Sequence, residues 1–108
     1  MLRSRITFIF LLLASVSAKA DISDPTGVFN EGNKQYEENN YEAAINSYKG
    51  LCEEFYSPEL FLNLGNSYYK LDDIPNTILY YEKALKLSPG NLNILHNLDL
   101  SHSMSNKS

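Results

Sequence analysis

"LNLGNSYYKLDD", Leu62 to Asp73, reads as helix on both sides of a glycine. Leu60, Phe61, Leu64, Tyr68 and Leu71 recur through it at helical spacing. A glycine in a helix interior costs about 1 kcal/mol relative to alanine. Local propensity therefore does not explain Gly65. The same device stands 33 residues earlier, in "NEGNKQYEENN", Asn30 to Asn40.

A shift of 33 brings seven identical residues into register: Pro25 with Pro58, Asn30 with Asn63, Gly32 with Gly65, Asn33 with Asn66, Tyr36 with Tyr69, Ile45 with Ile78 and Tyr48 with Tyr81. Similar residues fill in between, as Val28 with Phe61, Tyr41 with Ile74 and Cys52 with Leu85. Matches in one register mark an internal repeat, whose units bury their apolar faces by stacking.

Each unit reads as two helices. In the second, Ser57 is a good N-cap and Pro58 fits the first helical position, where a missing N–H costs nothing. "DD" makes the turn, Asp73 caps the next helix, and Pro75 is tolerated in its first turn. Ile74, Ile78, Tyr81, Leu85 and Leu87 mark that helix, which ends at "SPGN". The first unit follows the same plan. Asp24-Pro25 opens it, "ENN" turns it, Asn40 caps, and Tyr41, Ala44, Ile45, Tyr48 and Leu51 form the second stripe. A fifth helix begins after Asn91 with "LNILHNLDL". The tail "SHSMSNKS" is polar and lacks periodicity, so its end should fray.

Two short antiparallel helices must pack closely, and a glycine in the first lets a residue of the second approach its backbone. The expectation is that Gly32 faces Ala44 and Gly65 faces Thr77, with Tyr68 turned toward the helix pair and Tyr69 to the other face.

The first twenty residues differ in kind. "MLRSR" is basic, "ITFIFLLLASV" is an apolar run of eleven, and Ala18-Lys19-Ala20 has the small-x-small spacing of a cleavage site. The run is too short for an ordinary membrane span of about 20 residues. It predicts a secretory signal peptide over 1–20, cleaved before Asp21, and a periplasmic or secreted product. An uncleaved anchor is the alternative.

The chain has a formal net charge of −4. Without Arg3, Arg5 and Lys19, six basic residues face thirteen acidic ones, near −7. That balance argues against nucleic acid and anionic membrane as partners. A single cysteine, Cys52, rules out an intramolecular disulfide and a cysteine-clustered zinc site. It falls on the apolar stripe, where a thiol is inert. His96 and His102 stand six apart, not the three or four that place ligands on one helix face. Carboxylates come as exposed pairs, and no phosphate-cradling glycine loop occurs. The reading is a protein that is not an enzyme, with no metal and no cofactor.

The second unit resembles the tetratricopeptide repeat across all 34 positions of "PELFLNLGNSYYKLDDIPNTILYYEKALKLSPGN". Phe61, Leu64, Gly65, Tyr68, Tyr81, Ala84 and Pro89 stand at signature positions, and Thr77 replaces the usual alanine. The first unit matches at Gly32, Ala44 and Tyr48. It departs at Glu31 and Gln35, usually apolar, and at Tyr56, where the closing proline would be. A signal, two repeats and "ILHNLDL" also resemble the N-terminal region of the BatE-like periplasmic proteins of the Bacteroides aerotolerance operon, whose members continue into membrane helices and a further domain.

The resemblance implies an all-α, right-handed α-α superhelix of two helix pairs plus a C-terminal capping helix. It divides the chain into a signal (1–20), a linker (21–24), repeats at 25–57 and 58–91, a capping helix or partial third repeat (92–103) and a disordered tail (104–108). It also implies a concave face that binds protein or peptide. The groove positions on that face are Phe29, Asn30, Asn33, Tyr36 and Glu37, then Leu62, Asn63, Asn66, Tyr69 and Lys70, then Asn93, His96 and Asn97. Asparagine can clamp an extended backbone with either a donor or an acceptor, and the aromatic and leucine side chains can bury a partner's. Some family members grip a terminal carboxylate. Asn33 and Asn63 match their asparagines, but Phe29, Asn93 and Asn97 replace their cations. Recognition of an acidic C-terminus is therefore not expected. The alternative to an adaptor or assembly factor is a module that self-associates as a homodimer through the exposed end of the array.

Overall fold

The computed structural model describes residues 23–107, and the expected signal peptide and cleavage point lie outside them. Five helices follow one another: α1 Pro25–Glu37, α2 Tyr41–Leu51, α3 Pro58–Lys70, α4 Ile74–Leu87 and α5 Leu92–Ser105. All are α-helical, and among the described residues no helix is long and apolar enough to cross a membrane.

Each helix begins where a side chain takes its orphan N–H. Asp24 accepts from the Gly27 amide (3.0 Å), Asn40 from Ala43 (3.4 Å), Ser57 from Leu60 (3.0 Å) and Asp73 from Asn76 (3.2 Å). Asn91 takes the amides of Asn93 and Ile94. Pro25 and Pro58 occupy first helical positions. α1 and α3 end alike. Asn39 and Asp72 adopt positive φ, 64° and 60°, reversing the chain within two residues. The next amide then returns to the helix, Asn40 to the Gln35 carbonyl and Asp73 to that of Tyr68. Asn and Asp are the side chains best suited to that left-handed conformation.

α1 packs on α2 and α3 on α4; α2 joins the pairs through α3, and α5 closes the array on α4. The core runs through Ala44, Ile45, Tyr48, Leu51, Leu60, Phe61, Leu64, Tyr80, Ala84 and Ile94. Thr77, in place of alanine, is fully buried, and its hydroxyl donates to the Asp73 carbonyl one turn back (2.7 Å). The substitution therefore leaves no unpaired group. Ser67 and Ser101 use the same bond to Asn63 and Asn97.

The nearest neighbours of both helical glycines are tyrosine rings. A Cβ on Gly32 would meet the Tyr48 ring, its nearest atom 2.6 Å away, and one on Gly65 would meet the Tyr81 ring at closer range still. The glycines admit an aromatic face, and Ala44 and Thr77 are fully buried. Leu71 and Leu87, placed on the apolar stripes, are 42% and 48% exposed, because each stands where its helix ends and the chain turns away. Tyr80, left off its stripe, is buried and stacks on Tyr68, ring centroids 5.6 Å apart and 7° from parallel. Tyr69 points outward, as expected. α5 continues to Ser105, two residues beyond the span assigned from sequence.

Candidate functional site

The repeated "Gly-Asn" pairs build one side of the molecule. The glycine lets the tyrosine of the paired helix lie flat across the backbone, and the asparagine next to it receives the hydroxyl. Tyr48 Oη donates to Asn33 Oδ1 and Tyr81 Oη to Asn66 Oδ1, each at 2.5 Å. Both bonds span fifteen residues, and both end beside a buried glycine. Asn63 Nδ2 adds a second bond to Asn33 Oδ1 (3.1 Å), tying α3 to α1. Burial pushes the Tyr48 hydroxyl up to about 12, against a smaller opposing effect of the Asn63 side chain. Burial raises that of Tyr81 further. Both therefore stay protonated donors at neutral pH.

Two hollows open over these tyrosines. The first, about 220 Å³, is lined by Asn33, Tyr36 and Glu37 of α1, by Asn63 and Asn66 of α3, and by Tyr48. The second, about 210 Å³, is lined by Asn66 and Tyr69 of α3, by Asn97 and Leu100 of α5, and by Tyr81. Asn66 borders both, so they form one groove across α1, α3 and α5.

Seven of the groove positions expected from sequence line these hollows: Asn33, Tyr36, Glu37, Asn63, Asn66, Tyr69 and Asn97. Phe29 and Leu62 do not; they are half-buried against the core, Phe29 with its ring 5.8 Å from that of Tyr48. Asn30, Asn93 and His96 are exposed and line neither hollow. Lys70 is exposed near Tyr36, whose hydroxyl burial raises and Lys70 pulls partly back. Tyr48 and Tyr81, read as packing residues only, are also walls of the hollows. Leu100 was not singled out. Its signal is an offset of 34, which puts it on Asn66 and puts Asn97 on Asn63.

The Asn33 oxygen accepts two bonds, from Tyr48 and Asn63, and the Asn66 oxygen accepts one, from Tyr81. Their Nδ2 groups remain as donors, held in orientation by the tyrosines. Pre-set donors in a part-buried groove suit carbonyl acceptors. Cys52 is half-buried, and burial raises its thiol against the pull of Lys83 and Lys49. Among the described residues no three His, Cys, Asp or Glu side chains come together to hold a metal ion.

Residues 58–91 match the family model of the tetratricopeptide repeat. The second helix pair is thus similar to a tetratricopeptide repeat. The first pair repeats its glycine, asparagine and tyrosine geometry at an offset of 33. A solved structure described as the first TPR of Spaghetti (RPAP3) bound to the HSP90 peptide SRMEEVD is similar at 20% identity with a TM-score of 0.43, covering 85% of this chain and 100% of that one. The comparison with curated proteins finds no match.

Proposed function

We propose that this chain is a non-catalytic module that binds protein or peptide on its concave face, acting as an adaptor, scaffold or assembly factor of the cell envelope. The observation that carries the reading is the groove itself: two adjoining hollows with amide donors fixed by buried tyrosines. The basic, apolar and small-residue order of residues 1–20 supports export and cleavage before Asp21. N-terminal sequencing of the exported protein should begin at Asp21; a membrane-bound product starting at Met1 would refute that.

Asn66 and Asn63 serve the fold, so the cleaner probes are Tyr69 and Asn97, which line the second hollow and have no side-chain hydrogen bond within the described residues. The double change Tyr69→Ala and Asn97→Ala should lower affinity for a partner captured from envelope extract by roughly tenfold or more. Helical circular dichroism should be unchanged. Replacing Glu38 and Glu42, exposed outside the groove, should change little. Full affinity in the double variant, by titration calorimetry, moves the site off this face.

Self-association is favoured by a different observation. At the offset of 34, Leu95 and Leu98 of α5 stand where α3 has Phe61 and Leu64. Phe61 and Leu64 are 5% and 0% exposed, whereas Leu95 is 41% exposed. A concentration-dependent dimer in light scattering that Leu95→Glu dissolves would select that reading.

A further inference from the structure

On the reading that the groove holds a peptide, its lining also says which kind. Glu37 is the ionised group among the residues of the first hollow, and among the described residues it has no ion-pair partner. Around it stand the Nδ2 donors of Asn33 and Asn66, whose oxygens the tyrosines occupy. The second hollow has no ionised lining: Tyr69, Tyr81 and Leu100 give it apolar walls, and Asn66 and Asn97 give it amides. Lys70 is the counterpart of Glu37 one unit on, yet it lines neither hollow. The hollows lie on either side of α3, about one helix diameter or 10 Å apart, which two or three residues of extended chain span.

We propose that the concave face selects an extended segment carrying a lysine or arginine over Glu37 and, two or three residues along, an apolar side chain in the second hollow. Its backbone carbonyls accept from Asn33 and Asn66. An acidic segment meets a like charge at Glu37; no cation lines either hollow, although Lys70 stands outside the first one, near Tyr36. Charge thus sets which peptides enter, and the amides set how their backbone lies.

The test uses three short synthetic peptides, identical except that the residue two before a leucine is lysine, glutamine or glutamate. Binding is read by fluorescence anisotropy at low ionic strength, where a part-exposed charge is least screened. The lysine peptide should bind at least about fivefold tighter than the glutamate peptide. Glu37→Gln should erase that difference, and Lys70→Gln should strengthen the lysine peptide by relieving repulsion. The glutamate peptide binding as well or better, or a preference that survives Glu37→Gln, overturns the proposal. If all three bind equally and Tyr69→Ala with Asn97→Ala weakens all three, the charge selection is wrong and the peptide groove stands. If none binds, both fall.

Discussion

Gly65→Ala sets two physical effects against each other. Alanine is the better helix residue by about 1 kcal/mol, so propensity alone predicts a gain. The new methyl, however, would lie inside contact distance of the Tyr81 ring, with Cγ at 3.2 Å and the neighbouring ring carbons nearer. That ring is no flexible tip. It is buried against Gly65 of α3, and its hydroxyl is pinned to Asn66. Overpacking of this kind costs about 1–3 kcal/mol. Moving the ring also strains or breaks the hydroxyl bond, about 0.5–1.5 kcal/mol more, and leaves a buried group short of a partner. The net expectation is a loss of about 1–3 kcal/mol. In a domain of this size each kcal/mol shifts the melting temperature by about 4–8 °C. Gly50 supplies the matched control. It lies in α2, and a Cβ there meets nothing within 4 Å. Gly50→Ala should therefore raise stability by about 0.5–1 kcal/mol. The assay is thermal and urea unfolding followed by far-ultraviolet circular dichroism. A gain from both substitutions would refute the close approach of Tyr81. A further check is Tyr81→Leu, in whose background Gly65→Ala should lose most of its cost.

Tyr48→Phe tests the buried hydroxyl through pH. That hydroxyl titrates at 10.0 when unperturbed and about 12 in the fold, so folding favours its protonated form. The stability it contributes is complete below pH 10 and is lost as pH rises toward 12, on the order of 2–3 kcal/mol. Tyr48→Phe should flatten the alkaline limb of the stability profile; an unchanged limb counts against the burial argument. Asp72→Gly relieves a left-handed residue and should raise stability by up to about 1 kcal/mol in urea titration, whereas a loss would mean that the Asp72 side chain holds the turn. Cys52, its thiol raised by burial, should react with iodoacetamide at neutral pH more slowly than a free thiol, and faster reaction in the folded state would contradict its placement.

Much of the fold was legible because its signals are local. The five N-caps, the proline starts of α1 and α3 and the two-residue turns depend on neighbours within a few positions, which spacing records directly. The partner of a helical glycine depends instead on how two helices cross, and that is a tertiary fact. A usable signal did exist: Gly32, Asn33 and Tyr48 recur together as Gly65, Asn66 and Tyr81, one offset for all three. A tyrosine that always accompanies a glycine-asparagine pair suggests a ring over the glycine and a hydroxyl on the amide. Tyr80 was missed because it packs on the rings of Phe61 and Tyr68 in α3, next to Tyr81 on the stripe, so the covered arc of α4 is wider than one stripe. Of the groove, the first-helix positions were legible. The contribution of the second helices was not, because Tyr48 and Tyr81 reach the hollows by crossing over a backbone that spacing alone does not show to be bare.

The bond from Asn63 to Asn33 makes the two junctions of the array unequal. It bolts α3 to α1 at the groove floor. At the next junction Asn97 occupies the corresponding place, but among the described residues no such bond joins it to Asn66, and α5 docks chiefly on α4. In a linear array each unit is held by its neighbours alone, so opening begins at the weaker seam. The first hollow is then a rigid socket, and the second a jaw whose outer wall swings with the last helix. A ligand side chain entering between Tyr69 and Leu100 would clamp that wall, slowing amide exchange across Leu92–Ser105 while leaving α1 and α2 as they were.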